Sequence, residues 1–263
     1  MALNETTLSE VAQKLMASTK DLTPIDPLTG TYPDITLEEA YRIQLITVEK
    51  GLAEGRKVVG KKIGLTSPAM QQMFNVNEPD YGHLFNDMLV SEGEGVAFSR
   101  LLQPRIEGEI AFILESDLAG PGVTPVDVAQ ATAGVSAALE IIDSRIRDWK
   151  IKIQDTVADN ASSGAFVLGS KMVPLTGLDL RYVGFVMTKN GKLASTGAGA
   201  AVLGSPLQSV AWLANKLSEY GVSLKAGEII LSGAAAAAVP VEGGDSIHVT
   251  VDRLGDVGCF FAT

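Results

Sequence analysis

Apolar and polar positions divide the chain into a helical opening and a strand-rich remainder. Val11, Leu15 and Met16 recur at helical spacing behind Thr7-Leu-Ser-Glu10, which has the form of a capping box. The signature returns at Thr36-Leu-Glu-Glu39 ahead of Ala40, Ile43, Leu45, Ile46 and Val48, and predicts a second amphipathic helix ending near Gly51 or Gly55. A connector rich in Pro and Asp, residues 22–34, separates the two. Val58–Gly64 is a short predicted strand, and after it Ser67 is placed as an N-cap with Pro68 as the first residue of another helix.

From about residue 88 strand patterns take over. Residues 106–114 form the first of them, followed by a helix opened by Thr124-Pro125 and running to about Ala133, then a strand over 136–142. Strands 185–188 and 192–196 flank Asn190-Gly191, a type I′ hairpin signal. Ser205-Pro206 opens a helix with Val210, Leu213 and Leu217 on one face and Gly221 as its stop. Strands over 228–232, 246–251 and 257–261 complete the chain. With no linker, repeat or low-complexity segment, the pattern predicts one α+β domain over 1–263. Its helical part is 1–87, and a mixed, mostly antiparallel β-roll occupies 88–263.

Composition narrows the function. The chain has 263 residues, 46% of them hydrophobic, enough for a large buried core. Its net charge of −10 and lack of a basic cluster argue against a nucleic-acid partner, since phosphate binding needs a concentrated basic face. Cys259 is the single cysteine, which excludes an internal disulfide framework and suits a reducing compartment. The first residues lack a signal-peptide core, and no apolar run reaches the roughly 18–20 residues that span a bilayer. The expectation is a soluble cytoplasmic protein without a membrane partner.

The candidate chemistry begins at Arg105-Ile-Glu-Gly-Glu-Ile-Ala. On a strand Arg105, Glu107, Glu109 and Ala111 share one face and Ile106, Gly108, Ile110 and Phe112 the other. The two carboxylates then lie roughly 6.5–7 Å apart at Cα. Such a pair is either the wet face of a sheet or a site for a hard cation. Glu140, embedded in Ala137-Ala-Leu-Glu-Ile-Ile-Asp143, adds a third carboxylate where burial demands a partner. Oxygen-only ligands favour Mg²⁺ or Mn²⁺ over zinc. The competing reading pairs Glu140 with Arg145 or Arg147.

Lys61 and Lys62 stand between glycines and apolar residues, so one of them must face inward. It is either a surface lysine or a cation for a substrate carboxylate. Asp80, in Glu78-Pro-Asp-Tyr-Gly82, is expected in a turn. Residues 159–164 form a turn or a ligand-binding loop ahead of a strand over 165–168. The glycine-rich run 196–204 lacks the third fingerprint glycine, with Val202 in its place, so no dinucleotide site is expected. His83 and His248 are too far apart for a metal motif or triad, and Ser232-Gly233 lacks the nucleophile-elbow pattern.

Several of these segments together carry a resemblance. Lys62-Ile-Gly-Leu-Thr-Ser67, Pro79-Asp-Tyr-Gly82, Pro104-Arg-Ile-Glu-Gly-Glu-Ile-Ala-Phe112, Leu139-Glu-Ile-Ile-Asp-Ser-Arg145 and Val157-Ala-Asp-Asn-Ala-Ser162 resemble the 2-keto-4-pentenoate hydratase family. Its close relative is 4-oxalocrotonate decarboxylase; both fall in the fumarylacetoacetate-hydrolase-like superfamily and serve aromatic meta-cleavage catabolism. The resemblance implies a β-roll with N-terminal helices, assembled as a homo-oligomer, with a pathway enzyme as a further partner. It makes Glu107, Glu109 and Glu140 the metal ligands and Lys62 the active-site lysine. Asp80 becomes a second catalytic residue, and Thr66, Ser67 and Ser162 line the substrate pocket.

Residues 147–155 and 60–64 look like the hydratases, whereas 234–241 is nearer to the decarboxylases. The resemblance therefore implies a hydratase of 2-hydroxypenta-2,4-dienoate, with decarboxylation of 4-oxalocrotonate on the same metal-chelated 2-oxo acid as the alternative. A structural partner of a pathway complex is the non-enzymatic one, and it would leave the carboxylates without a metal.

Overall fold

The structure is a computed structural model, and it describes residues 3–263. Its elements in chain order are α1 (Glu5–Asp21), α2 (Leu28–Thr31), α3 (Leu37–Ala53), β1 (Val58–Gly64), α4 (Pro68–Phe74), β2 (Asp80–Phe85), β3 (Leu89–Val90), β4 (Gly95–Ala97), β5 (Arg105–Leu114), α5 (Pro125–Ala131), β6 (Thr132–Ile142), α6 (Ile153–Ala158), β7 (Ser163–Leu168), β8 (Gly184–Lys189), β9 (Lys192–Ala198), α7 (Pro206–Ser218), β10 (Ile229–Leu231), β11 (Val239–Pro240), β12 (Ser246–Val251) and β13 (Gly255–Ala262).

Two sheets form. One runs β2-β1-β10-β5-β6-β7-β3, with β11 paired to β5, and the other runs β4-β13-β12-β8-β9. Most neighbours are antiparallel, but β1 with β10, β3 with β7, and β4 with β13 are parallel, so the fold is the mixed α+β roll expected. Strands β1 and β2 belong to the large sheet, which therefore draws on both sides of the anticipated boundary at residue 87.

Most of the local sequence signals act as turns and caps in the structure. Thr36 and Glu39 make the reciprocal capping box, Ser67 accepts from the Met70 N–H with Pro68 behind it, and Thr124 caps α5. Asn190 and Gly191 both have positive φ, 53° and 72°, as a type I′ turn requires. At α1 the expectation fails: Asn4 is the cap, accepting from the Thr7 N–H, and the helix starts ahead of Thr7. An Asn cap satisfies the same orphan donors as Ser or Thr, so the earlier of two good caps wins. Asp80 also departs from its expected turn, because it opens β2 and is buried.

The two faces of the large sheet differ. Ile106, Ile110, Phe112, Leu139 and Ile141 lie in the main core, and a Cβ on Gly108 would meet Val249 of the small sheet at 3.1 Å. The opposite face carries a separate apolar cluster of Leu84, Ala111, Ala138, Phe166 and Leu231. Cross-strand registers put Asp80, Lys62, Glu107, Glu109 and Glu140 on that second face. It must be concave. Lys62 and Glu140 sit three strand spacings apart, about 14 Å in a flat sheet, yet Lys62 Nζ is 3.2 Å from Glu140 Oε1.

The curl is pinned where its edges meet. Asn160, just before β7, accepts from the His83 N–H at 2.8 Å and donates to the His83 carbonyl at 2.9 Å, imitating a strand partner for β2. A Cβ on Gly82 would lie 2.4 Å from the Asn160 carbonyl, so only glycine permits this approach.

Candidate active site and metal centre

The floor of the concave face is set by register. Glu107 lies directly opposite Glu140 on β6, and Glu109 follows on β5. One carboxylate oxygen from each of the three lies within 4.8 Å of the others. Glu109 Oε2 accepts from the Gly233 N–H at 2.8 Å, Glu140 Oε1 has the Lys62 ammonium at 3.2 Å, and Glu109 Oε1 and Glu140 Oε2 meet no hydrogen-bond donor. Buried orphan acceptors of this kind are expensive unless something positive meets them. The donor set, three carboxylates with neither His nor Cys, fits a hard divalent cation.

The electrostatics of the bare site agree. Burial pushes Glu107 up to about 7, helped by Glu140 and opposed by Lys62. Burial and the neighbouring carboxylates raise Glu109 well above its ordinary range, and Glu140 rises too despite Lys62. Burial alone would discharge Lys62, yet Glu140, Asp80, Glu107 and Glu109 outweigh it and keep the ammonium charged. Asp80 is pushed up to about 6 by burial, against the pull of Lys62.

The structure resolves the choice between the two lysines. Lys62 faces inward, paired with Glu140 and donating to the Ala161 carbonyl at 3.0 Å. Lys61 points to the other face, where it is buried against Glu228 at 2.7 Å, so neither is a surface lysine. The arginine reading of Glu140 does not hold: Arg145 pairs with Asp159, and Arg147 pairs with Asp26 at 3.0 Å.

Of residues 159–164, 159–162 form a loop over the site, and Ser163 and Gly164 already belong to β7. Asn160, Ala161 and Ser162 have φ of 54°, 50° and 54°, three consecutive non-glycine residues in the left-handed region. Such a conformation persists only when its surroundings hold it. Arg145 does so, with its side chain bound to the Asp159 carboxylate and carbonyl and to the Ser163 carbonyl, and its backbone N–H to Asp159 Oδ2 at 2.9 Å. The Ser162 hydroxyl lies 3.3 Å from that of Thr156, in contact with α6. Thr66 is buried against Gly233, the residue that holds Glu109, and Ser67 is committed to capping α4.

Sequence reasoning missed the support for this loop. Gln44 donates to the Tyr81 and Val157 carbonyls, and its Oε1 meets His83 Nδ1 at 3.0 Å. His83 is therefore structural, and burial holds its pKa down to about 3. The criterion that singled out Glu140, a charge among apolar residues, would have flagged Arg145 and Asp159 as well.

Comparison with known proteins agrees with this geometry. Residues 57–260 match the fumarylacetoacetate hydrolase C-terminal family. The chain is 51% identical over 222 residues to a 2-hydroxypent-2,4-dienoate hydratase of Pseudomonas putida, covering 84% of this chain and 100% of the relative. It is 48% identical over 248 residues to the 2-keto-4-pentenoate hydratase of Paraburkholderia xenovorans LB400, covering 94% and 92%. Among solved structures, 4-oxalocrotonate decarboxylase of Pseudomonas putida G7, complexed with magnesium and adipate, superposes with a TM-score of 0.96 at 40% identity over 99% of both chains. The chain belongs to the fumarylacetoacetate hydrolase family, on the branch that holds the 2-keto-4-pentenoate hydratases and 4-oxalocrotonate decarboxylase.

Proposed function

We propose that this chain is a divalent-metal-dependent hydro-lyase of aromatic meta-cleavage catabolism. It adds water to 2-hydroxypenta-2,4-dienoate (2-oxopent-4-enoate) to give 4-hydroxy-2-oxopentanoate. The observation that carries the reading is the cluster of Glu107, Glu109 and Glu140, with orphaned oxygens beside an inward lysine, in a chain so close to hydratases.

Glu107, Glu109 and Glu140 would hold Mg²⁺ or Mn²⁺, which would supply positive charge to stabilise the anion of a 2-oxo acid. Lys62, kept charged by its neighbours, neutralises the substrate carboxylate and orients it. The reaction removes the C2 hydroxyl proton and adds one at C5, leaving a 2-oxo-3-enoate, and water then adds its oxygen to C4 and a proton to C3. Asp80, pushed up to about 6 by burial, and Lys62 are the groups placed to move those protons. Thr66, Ser67 and Ser162 line the pocket in this reading. Leu84, Ala111, Ala138, Phe166 and Leu231 seal its inner end against bulk water.

The close superposition on a decarboxylase favours one rival, loss of CO₂ from 4-oxalocrotonate at the same site. Supplying the Mg²⁺-loaded protein with 2-hydroxypentadienoate or with 4-oxalocrotonate, and following dienol absorbance and CO₂ together, separates the two. Hydration without CO₂ supports the proposal, and CO₂ release without hydration refutes it. The working form in this reading is a cytoplasmic homo-oligomer able to bind a neighbouring pathway enzyme, which sedimentation of the native protein tests. No helix among the described residues is long and apolar enough to cross a membrane.

A further inference from the structure

Arg105 has no part in the arrangement above. It precedes Glu107 by two residues on β5, so it shares the concave face and lies about 6.5–7 Å further along the strand. That direction is outward: Ala111 and Glu109 are buried, whereas Glu107 and Arg105 are half-exposed. The guanidinium sits over the Trp149 ring, 4.8 Å from its centroid. Unlike Arg145 and Arg147, it makes no ion pair and its N–H donors meet no acceptor among the described residues.

Trp149 is itself held in place. Its indole N–H donates to the Gln103 carbonyl at 2.9 Å, and it and Asp148 have φ of 55° and 59°. A tryptophan in the left-handed region is strained backbone, maintained by its contacts. Pro240, opposite Arg105 on β11, and Val241 help to enclose a cleft of about 280 Å³ in front of the pair. A planar cation with its N–H donors unpaired therefore stands at the rim of a carboxylate-lined site in a chain of net charge −10. An anionic substrate approaching such a site is repelled unless a cation meets it first.

We propose that Arg105, seated on Trp149, is the capture residue for the carboxylate of an incoming 2-oxo acid anion, pairing with it at the rim before it passes inward to Lys62. The inference rests on the reading of the concave face as the site of such an anion. The guanidinium fork matches a carboxylate in two parallel hydrogen bonds, and the aromatic plane fixes it without consuming its donors. A rim charge of this kind governs association and its salt dependence more than turnover.

The test uses the Mg²⁺-loaded full chain, with Arg105→Gln, Arg105→Lys, and Lys192→Gln as a control for net charge on an exposed side chain of β9, in the other sheet. Arg105→Gln is expected to raise KM for 2-hydroxypentadienoate about tenfold, leave kcat within about a factor of two, and flatten the fall of kcat/KM with ionic strength. Arg105→Lys should keep the salt dependence, and Lys192→Gln should behave as the unaltered chain. Calorimetric titration with pyruvate gives a readout independent of turnover, with Arg105→Gln weakening binding by a similar factor. If the dienoate is not turned over at all, the functional reading fails while the pyruvate titration still decides the role of Arg105. Unchanged KM and salt dependence in Arg105→Gln, a fall in kcat alone, or a loss confined to dicarboxylates would each overturn the proposal.

Discussion

Stripped of its metal, the concave face should destabilise the protein as pH rises. Carboxylate oxygens that approach within 4.8 Å repel by about 3.5 kcal/mol per ionised pair at an effective dielectric constant near 20. The folded state therefore holds on to protons that the unfolded chain releases. Glu107 illustrates the sign, rising from an ordinary 4.5 to about 7 on folding. A raised folded value means its contribution is fully present below 4.5 and is lost as pH climbs through 7. At 1.36 kcal/mol per pH unit the loss is about 3 kcal/mol, trimmed to about 2 kcal/mol because Glu107 is partly exposed. For a chain of this length that corresponds to a fall in Tm of about 4 °C. Scanning calorimetry in chelator between pH 5 and 8 measures it, with Glu107→Gln as the reference that cannot ionise. The unaltered protein should lose about 4 °C relative to the variant across that window. Saturating Mg²⁺ should restore it, since a ligand at a hundred times its Kd adds about 2.7 kcal/mol. Parallel Tm profiles for the two proteins in chelator would refute the account of the bare site.

Lys62→Met should lower turnover by about 10²–10⁴-fold while Mn²⁺ binding, followed by calorimetry, persists or tightens; activity within tenfold of the unaltered protein would remove Lys62 from the proposed chemistry. Gly64→Ala places a Cβ 2.2 Å from Asp80 Oδ1, and the flexible carboxylate must move away. The variant should remain folded by circular dichroism and lose as much activity as Asp80→Asn. Arg145→Ala leaves Asp159 buried without its partner and should lower stability by about 3–5 kcal/mol in urea unfolding. An unchanged midpoint would mean that the left-handed loop over the site is held by other contacts.

The parts of the site legible in the sequence were those written into one strand or one turn. Strict alternation in β5 announced Glu107 and Glu109, and the isolation of Glu140 among apolar residues announced a third partner. The capping box at Thr36 and the Asn190-Gly191 turn are likewise complete within four residues. What stayed hidden depends on partners far apart in the chain. Asp80 read as a turn residue because Pro79 precedes it, and only pairing with Gly64 makes it a strand residue. Asn160 and Gln44 are unremarkable polar residues until β2 arrives between them. Strand order, and with it the choice of Lys62 over Lys61, is decided by the fold as a whole.

The concave face joins groups from β1, β2, β5 and β6, with β10 seated between two of them. A slip of one residue in any of these strands would turn its contribution to the opposite side of the sheet and leave a soluble, compact, inert molecule. Turnover per molecule thus acts as a proofreading signal for strand alignment, and a refolded preparation can be graded by the fraction that binds metal stoichiometrically. A shortfall there would measure misalignment that circular dichroism does not see.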